Sequence, residues 1–242
     1  MTSNEVVPAD SAPPRYAVYF APAVGSPWWE FGARWLGRDE ARDAPLPQPA
    51  AEGIDPGVLR ELTAAPRHYG FHATLKAPFA LRAGCDLPAL RRRLAELARR
   101  LAPVPLGELQ ATTLARFAAL RPLASTPALL ALAAACTTDL DDLRAPPSAA
   151  DLARRRAAGL DARGDELLAR YGYTYVLERF RLHFTLSNAA DPASVTRVIW
   201  AVEGEVQRLN RVAPLVLDRL CLFEQAAPET PFVRSADFPL GG

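Results

Sequence analysis

Three histidines occur in the 242-residue chain, and two of them begin the same tetrad, His72-Ala73-Thr74-Leu75 and His183-Phe184-Thr185-Leu186. An imidazole titrates near neutral pH and can take or give a proton, and a threonine hydroxyl can donate to a phosphate oxygen. Both tetrads lie in short apolar runs that read as strands, whose side chains alternate between two faces. His72 and Thr74 therefore share a face, roughly 7 Å apart at about 3.3 Å per residue. Gly70 and Lys76 fall on that face too, while Phe71, Ala73 and Leu75 point to a core. The second copy sorts the same way, with Arg181, His183, Thr185 and Ser187 on one face and Leu182, Phe184 and Leu186 on the other. A single histidine on a strand is more often a hydrogen-bonded structural group than a catalyst. The repeat reverses that weighting: two copies facing each other across a cleft supply one imidazole to remove a proton, another to donate one, and two hydroxyls for a phosphate held between them.

Other elements must bring the tetrads together. Residues 15–21, with Tyr16-Ala17-Val18-Tyr19-Phe20, predict a central strand. Ser26 followed by Pro27 marks a helix start, Trp28, Phe31 and Trp35 form its apolar stripe, and Gly37 ends it. Residues 38–56 are rich in proline and charge without periodicity, which predicts a long functional or mobile loop and leaves open whether it closes over the cleft as a flap. The chain from Tyr69 reads as strand until Pro78. Leu87, Leu90, Leu94, Leu97 and Leu101 recur at helical steps, two strands follow at 104–114 and 116–123, and Thr126-Pro127 opens a helix to Leu143. Ser148 and Asp161 cap two connector helices that end near Gly172. After the second tetrad, Asp191-Pro192 opens a helix to about Asn210, and strands are expected near 214–223 and 231–238.

The same order of strand, helix, strand, strand thus follows each tetrad, and it is read from caps and periodicity rather than from the tetrads themselves. The fold class expected is α+β, with two pseudo-symmetric lobes at about 15–144 and 173–242, a helical connector at about 145–172, and a disordered tail at 1–14. Mostly antiparallel sheets should form the central cleft, with helices outside.

Composition narrows the partners. Half the residues are hydrophobic, enough for a sizeable core, and the net charge is only +1. That balance disfavours a protein built to neutralise many nucleic-acid phosphates and suits a small anionic substrate. Cys85, Cys136 and Cys221 are odd in number and far apart, so no disulfide framework or zinc ribbon is indicated and a reducing, cytoplasmic setting is predicted. Residues 1–14 lack the apolar centre of a signal peptide, and the most apolar run, 127–136, is about half the ~20 residues that cross a bilayer, so no membrane partner is expected. His68 and His72 are four apart, a ligand spacing only on a helix; read as strand they stand roughly 13 Å apart. No metal and no cofactor are therefore expected. The chain carries 27 arginines and one lysine, and that lysine, Lys76, stands directly after the first tetrad. A compact ammonium in place of the usual guanidinium suggests a role there, so Lys76 and Arg181 are the predicted ligands for the anionic part of the substrate. The sequence carries no signal of oligomeric state.

The paired tetrads resemble the His-hydrophobic-Thr/Ser-hydrophobic motifs of the two-histidine (2H) phosphoesterase superfamily. More narrowly, Arg67-His68-Tyr69-Gly70-Phe71-His72-Ala73-Thr74-Leu75-Lys76-Ala77-Pro78-Phe79, together with Tyr171-Gly172-Tyr173 and Phe180-Arg181-Leu182-His183, resembles the branch named domain of unknown function 1045. The likeness runs from about residue 15 to the C-terminus. It departs after the second tetrad, where that branch usually continues Thr-Gly and this chain has Ser187-Asn188. The resemblance implies a bilobal fold and metal-independent hydrolysis of a cyclic phosphate or a 2′-5′ linkage, with His72, His183, Thr74 and Thr185 as catalytic residues and Tyr69, Tyr173 and Ser187 added to the substrate contacts. It also implies a link to phosphonate breakdown by the carbon-phosphorus lyase pathway, with a ribose cyclic phosphate as leading substrate. The alternatives are a module that binds a phosphate or nucleotide without turnover, and an RNA-processing activity.

Overall fold

The computed structural model describes residues 13–157 and 159–242; all but the last two residues of the expected N-terminal tail lie outside that range. Strand β1 (Arg15–Phe20) opens the chain and α1 (Pro27–Leu36) follows, its start fixed by Ser26, whose side chain accepts from the Trp29 amide. Two short strands, β2 (Arg38–Asp39) and β3 (Ala44–Pro45), form a hairpin. The long loop expected at 38–56 contains this hairpin and is tied to its neighbours. Arg38, Asp39 and Glu40 are buried, Arg38 donates to the carbonyls of Arg67 and His68, and Gln48 donates to the Trp35 carbonyl and the Thr63 hydroxyl. The segment packs against its neighbours instead of lying free over a cleft.

Two helices that the hydrophobic pattern did not predict come next, α2 (Pro56–Leu62) and α3 (Ala64–Tyr69). Asp55 followed by Pro56 was a legible start signal, since the Asp55 carboxylate accepts from the Gly57 and Val58 amides. Both helices are too short to show a periodic stripe. His68 consequently sits on α3 and not on a strand, and its ring bonds Gln225.

The strand bearing the first tetrad, β4 (Ala73–Phe79), runs through Pro78 rather than ending there. Its ladder with β1 shifts register on either side of the Val18↔Lys76 pair, and a bulge tolerates a proline. Then come α4 (Leu87–Arg100), β5 (Val104–Pro105), β6 (Leu109–Leu114), β7 (Phe117–Pro122), α5 (Pro127–Thr138), α6 (Ala149–Arg156) and α7 (Ala162–Tyr171). The second tetrad supplies β8 (Phe184–Thr185), followed by α8 (Pro192–Val212), β9 (Val216–Leu217), β10 (Arg219–Gln225) and β11 (Val233–Pro239).

Seven strands form one antiparallel sheet in the order β11-β10-β1-β4-β8-β7-β6, with the two tetrad strands side by side at its centre. The seven-stranded sheet is continuous across the centre of the molecule. Its halves do not follow the chain boundaries at 144 and 173. Hairpin β6-β7 lies beside β8, and hairpin β10-β11 beside β1. A strand has only two edges, and those of β4 are taken by β1 and β8, which leaves the free edge of β8 for the hairpin that follows β4 in sequence. The helices complete the exchange: α4 packs on β10 and β11, and α8 on β6 and β7. Each half-sheet thus takes its tetrad strand from one repeat and its hairpin from the other.

One face of the sheet is covered by α1, α4, α5 and α8, whose Trp28, Trp35, Leu90, Leu94, Leu132, Val198 and Val202 join Val18, Phe20, Leu120, Leu182 and Leu222 in the main core. Phe71, Ala73, Leu75, Phe184 and Leu186 belong to that core, as the alternation of the tetrads predicts. The opposite face carries a smaller cluster of Ala17, Tyr19, Ala21, Cys221, Phe223 and Phe232, and the histidines. The main core also fixes the backbone before the first tetrad. Phe71 stacks on Phe184 at 4.9 Å and lies so close to Gly32 of α1 that a Cβ there would fall 1.9 Å from the ring.

Candidate functional site

The central ladder positions the tetrads relative to each other. Ala73 pairs with Phe184, both buried on the helix-covered side. Extending that antiparallel register by one residue sets His72 opposite Thr185 and Thr74 opposite His183, all four on the other face. Cross-strand neighbours have Cβ atoms about 5 Å apart, so each hydroxyl is brought beside the histidine of the other repeat as well as its own.

Both imidazoles are held in the same way. His72 Nδ1 lies 2.9 Å from the Gly70 carbonyl oxygen, and His183 Nδ1 lies 2.8 Å from that of Arg181. A carbonyl can only accept, so each Nδ1 carries the proton and each Nε2 is left with its lone pair. His72 Nε2 is 3.4 Å from Thr74 Oγ1. The Thr185 hydroxyl makes no hydrogen bond to a described residue. Two imidazole acceptors and two short hydroxyls on one sheet face are what a phosphate ester needs for proton transfer and positioning.

The surroundings of the two histidines differ. Tyr19 stacks on His72 with ring centroids 3.9 Å apart, and Tyr69, at the end of α3, approaches to 5.9 Å while stacking on Phe232. Burial lowers the His72 pKa to about 4, opposed by the Gly70 carbonyl and aided by the charge of His183. Burial also lowers the His183 pKa; the Arg181 carbonyl opposes this and the charge of Arg121 adds to it. Both rings are therefore neutral at pH 7 in the free protein.

This shift has a consequence for stability. The unfolded chain takes up a proton on this histidine below about pH 6.5, whereas folded His72 resists it down to about 4, so the unfolded state binds more protons in between. The stability conferred by neutral His72 is complete above pH 6.5 and is lost as pH falls through that window. Between pH 7.5 and pH 5 the wild type should lose about 2 kcal/mol more than His72→Asn, measured by urea unfolding at both values.

A cavity of about 450 Å³ opens on this face, with Thr74, Phe117, Tyr173, Tyr175, Arg181 and His183 in its wall. Arg181 and Tyr173 thus lie where a substrate contact would be, and Tyr69 lies against His72. Lys76 does not. The bulge between Thr74 and Lys76 breaks the alternation: Thr74 pairs with Tyr19 on the histidine face, but Lys76 pairs with Val18 on the helix-covered face. There its ammonium donates to the Thr137 carbonyl at 3.0 Å and to Asp141 at 3.3 Å, only 4 % exposed. The one lysine of the chain is a buried structural cation.

Ser187 is likewise withdrawn. It is 1 % exposed, its Oγ accepts from the Ala118 amide at 3.0 Å, and it donates to the Asn188 carbonyl at 2.9 Å. Asn188 in turn accepts from the Ala65 amide and donates to the Glu61 carbonyl, tying β8 to α2 and α3. Ser187→Ala leaves the Ala118 amide without its partner and should cost about 1–3 kcal/mol in unfolding experiments while the folded protein keeps the wild-type turnover.

The sequence reading missed Tyr19, Phe117 and Arg121. Tyr19 lies in a run apolar on both faces, so alternation could not tell its side. Phe117, 5.9 Å from the His183 ring, and Arg121 come into place only through the pairing of β7 with β8.

Comparison with known proteins assigns the class. A family model described as protein of unknown function (DUF1045) matches residues 74–233, about two thirds of the chain and most of the elements that build this face. The chain belongs to that family. Among curated proteins it is similar to the ribose 1,5-bisphosphate phosphokinase PhnN of Janthinobacterium sp. (strain Marseille), 38 % identical over 231 residues that cover 94 % of this chain and 51 % of the relative. It is also similar to the ribose 1,5-bisphosphate phosphokinase PhnN of Laribacter hongkongensis (strain HLHK9), 42 % identical over 181 residues, covering 75 % of this chain and 42 % of that protein. The chain spans about half the length of the curated relatives it matches. Among the described residues no helix is long and apolar enough to cross a membrane.

Proposed function

We propose that the chain is a two-histidine phosphoesterase that hydrolyses a small sugar or nucleotide cyclic phosphate without a metal ion. The observation that carries this reading is the pair of imidazoles, each with Nδ1 bound to a carbonyl two residues earlier and Nε2 left with its lone pair, on one face of a shared sheet. One Nε2 takes a proton from water as the water oxygen bonds to phosphorus. The bond from phosphorus to one sugar oxygen breaks, and the other histidine, as imidazolium, protonates that oxygen, giving a phosphomonoester and a free hydroxyl. The dianionic transition state and the bound phosphate raise the histidine pKa values from their depressed free-protein positions, which supplies the imidazolium. Thr74 and Thr185 donate to the non-bridging oxygens, and Arg181, Tyr69 and Tyr173 contact the rest of the substrate.

The kinase name of the relatives supports a setting among ribose phosphates and phosphonate metabolism, rather than a kinase reaction in this part. A phosphate loop of the Gly-x4-Gly-Lys-Ser/Thr type requires a lysine after glycine, and the one lysine here lies in Leu75-Lys76-Ala77. A ribose cyclic phosphate is accordingly the first substrate to try. The test is a panel of ribose and nucleoside cyclic phosphates assayed for phosphomonoester release in excess chelator. Turnover that survives chelation supports the reading. No turnover of any member, with phosphate still bound, would favour a binding module.

A further inference from the structure

The two half-sites can be read position by position, and one of their differences is a charge. In the first, β1 runs alongside β4 with Tyr19 opposite Thr74 and Phe20 opposite Ala73, so the next position, beside His72, is Ala21. In the second, β7 runs alongside β8 with Ala119 opposite Thr185 and Leu120 opposite Phe184, so the next position, beside His183, is Arg121. Leu120 is in the main core and Ala119 shares the face of Thr185, so alternation directs Arg121 to the histidine face.

Among the described residues Arg121 is also the arginine with a buried, unpaired donor. Its Nε is buried without a hydrogen-bond partner, and its guanidinium bonds to none of the described residues. The other arginines held in the interior are saturated by comparison. Arg38 bonds Asp43 and the carbonyls of Arg67, His68 and Phe232, and Arg234 bonds Asp237 and the Pro22 carbonyl. A buried donor without a partner is costly, and the donor fork of a guanidinium on the histidine face is matched by the oxygens of a phosphate. The charge of Arg121 already acts on His183.

The geometry points to Arg121 as a ligand for the non-bridging oxygens of the substrate's phosphate, approaching it from the His183 side. This rests on reading the site as a phosphate-ester cleft, and it adds a catalytic contact that neither tetrad supplies.

The probe is inorganic phosphate, titrated into the full chain while the histidine ring protons are followed by NMR. Arg121→Met should bind phosphate about 10- to 100-fold more weakly than wild type, the range for one charge-assisted contact. Its Tm should stay level or rise, because an unpaired guanidinium has been removed; a structural arginine would lower it. Added guanidinium ion should restore part of the phosphate affinity of Arg121→Ala. Phosphate affinity within twofold of wild type in Arg121→Met overturns the inference, and so does weaker binding that comes with a lower Tm and no guanidinium rescue. The titration needs no turnover. A wild type that binds phosphate through Arg121 but hydrolyses no cyclic phosphate keeps this inference and sinks the hydrolase reading.

Discussion

His72→Ala and His183→Ala should each reduce hydrolysis of the cyclic phosphate by about 10²- to 10⁴-fold, the range for one general acid or base. The double variant should be far less impaired than the product of the two, because proton removal and proton donation serve a single displacement. Neither change should unfold the protein, since each ring is held by the carbonyl two residues earlier, His72 adds only a contact to the Thr74 hydroxyl, and neither histidine belongs to the main core. The measurement is single-turnover hydrolysis in chelator, with circular dichroism as the control for folding. Activity equal to wild type in both variants would remove the proposal. A further discriminator is the pH profile: wild type should give a bell, and each single variant should lose one limb.

Gly70→Ala should be the most damaging small substitution near the site. Gly70 has φ 79° and ψ 179°, a conformation essentially confined to glycine, and an added Cβ would stand 2.5 Å from the Cβ of Glu40. Glu40 cannot retreat readily, because it is wholly buried, bonded through its carboxylate to the Trp29 indole and through its carbonyl to the Arg234 amide. Strain and overlap together should cost about 2–5 kcal/mol, seen as a lower midpoint in urea with an unchanged slope. The same carbonyl orients His72, so the molecules that remain folded should also be slower. Full activity per folded molecule would mean that the Gly70 carbonyl is not what aligns the imidazole.

These two expectations rest on different amounts of sequence information. The tetrads, their strand character and the inward set of Phe71, Ala73, Leu75, Phe184 and Leu186 were legible because alternation is local and burial follows hydrophobicity. Helix starts were read correctly where a capping side chain preceded proline at Ser26-Pro27, Thr126-Pro127 and Asp191-Pro192, while the same signal at Asp55-Pro56 was passed over because its helix is too short to show a stripe. The role of Lys76 was not, because the bulge that turns it to Thr137 and Asp141 depends on how β4 pairs with β1. Ser187 passed the same test of alternation and failed for the same kind of reason: its hydroxyl found a backbone amide of β7 before any ligand could.

What the sequence by itself determined is the chemistry available, namely two histidines each followed by a threonine at a spacing that puts both on one side of a strand, and the repeated strand, helix, hairpin order around them. Those are properties of neighbouring residues, and local sterics and hydrophobicity enforce them. The tertiary structure alone decided which copies meet. Pairing of Ala73 with Phe184 sets each histidine across from the threonine of the other repeat, pairing of β1 with β4 gives His72 a stacked Tyr19, and the hairpin beside β8 gives His183 a neighbouring Arg121. That choice is made by sheet edges, since each strand has only two and the central pair leaves one outer edge apiece, and no local pattern in the chain encodes which strand will fill it.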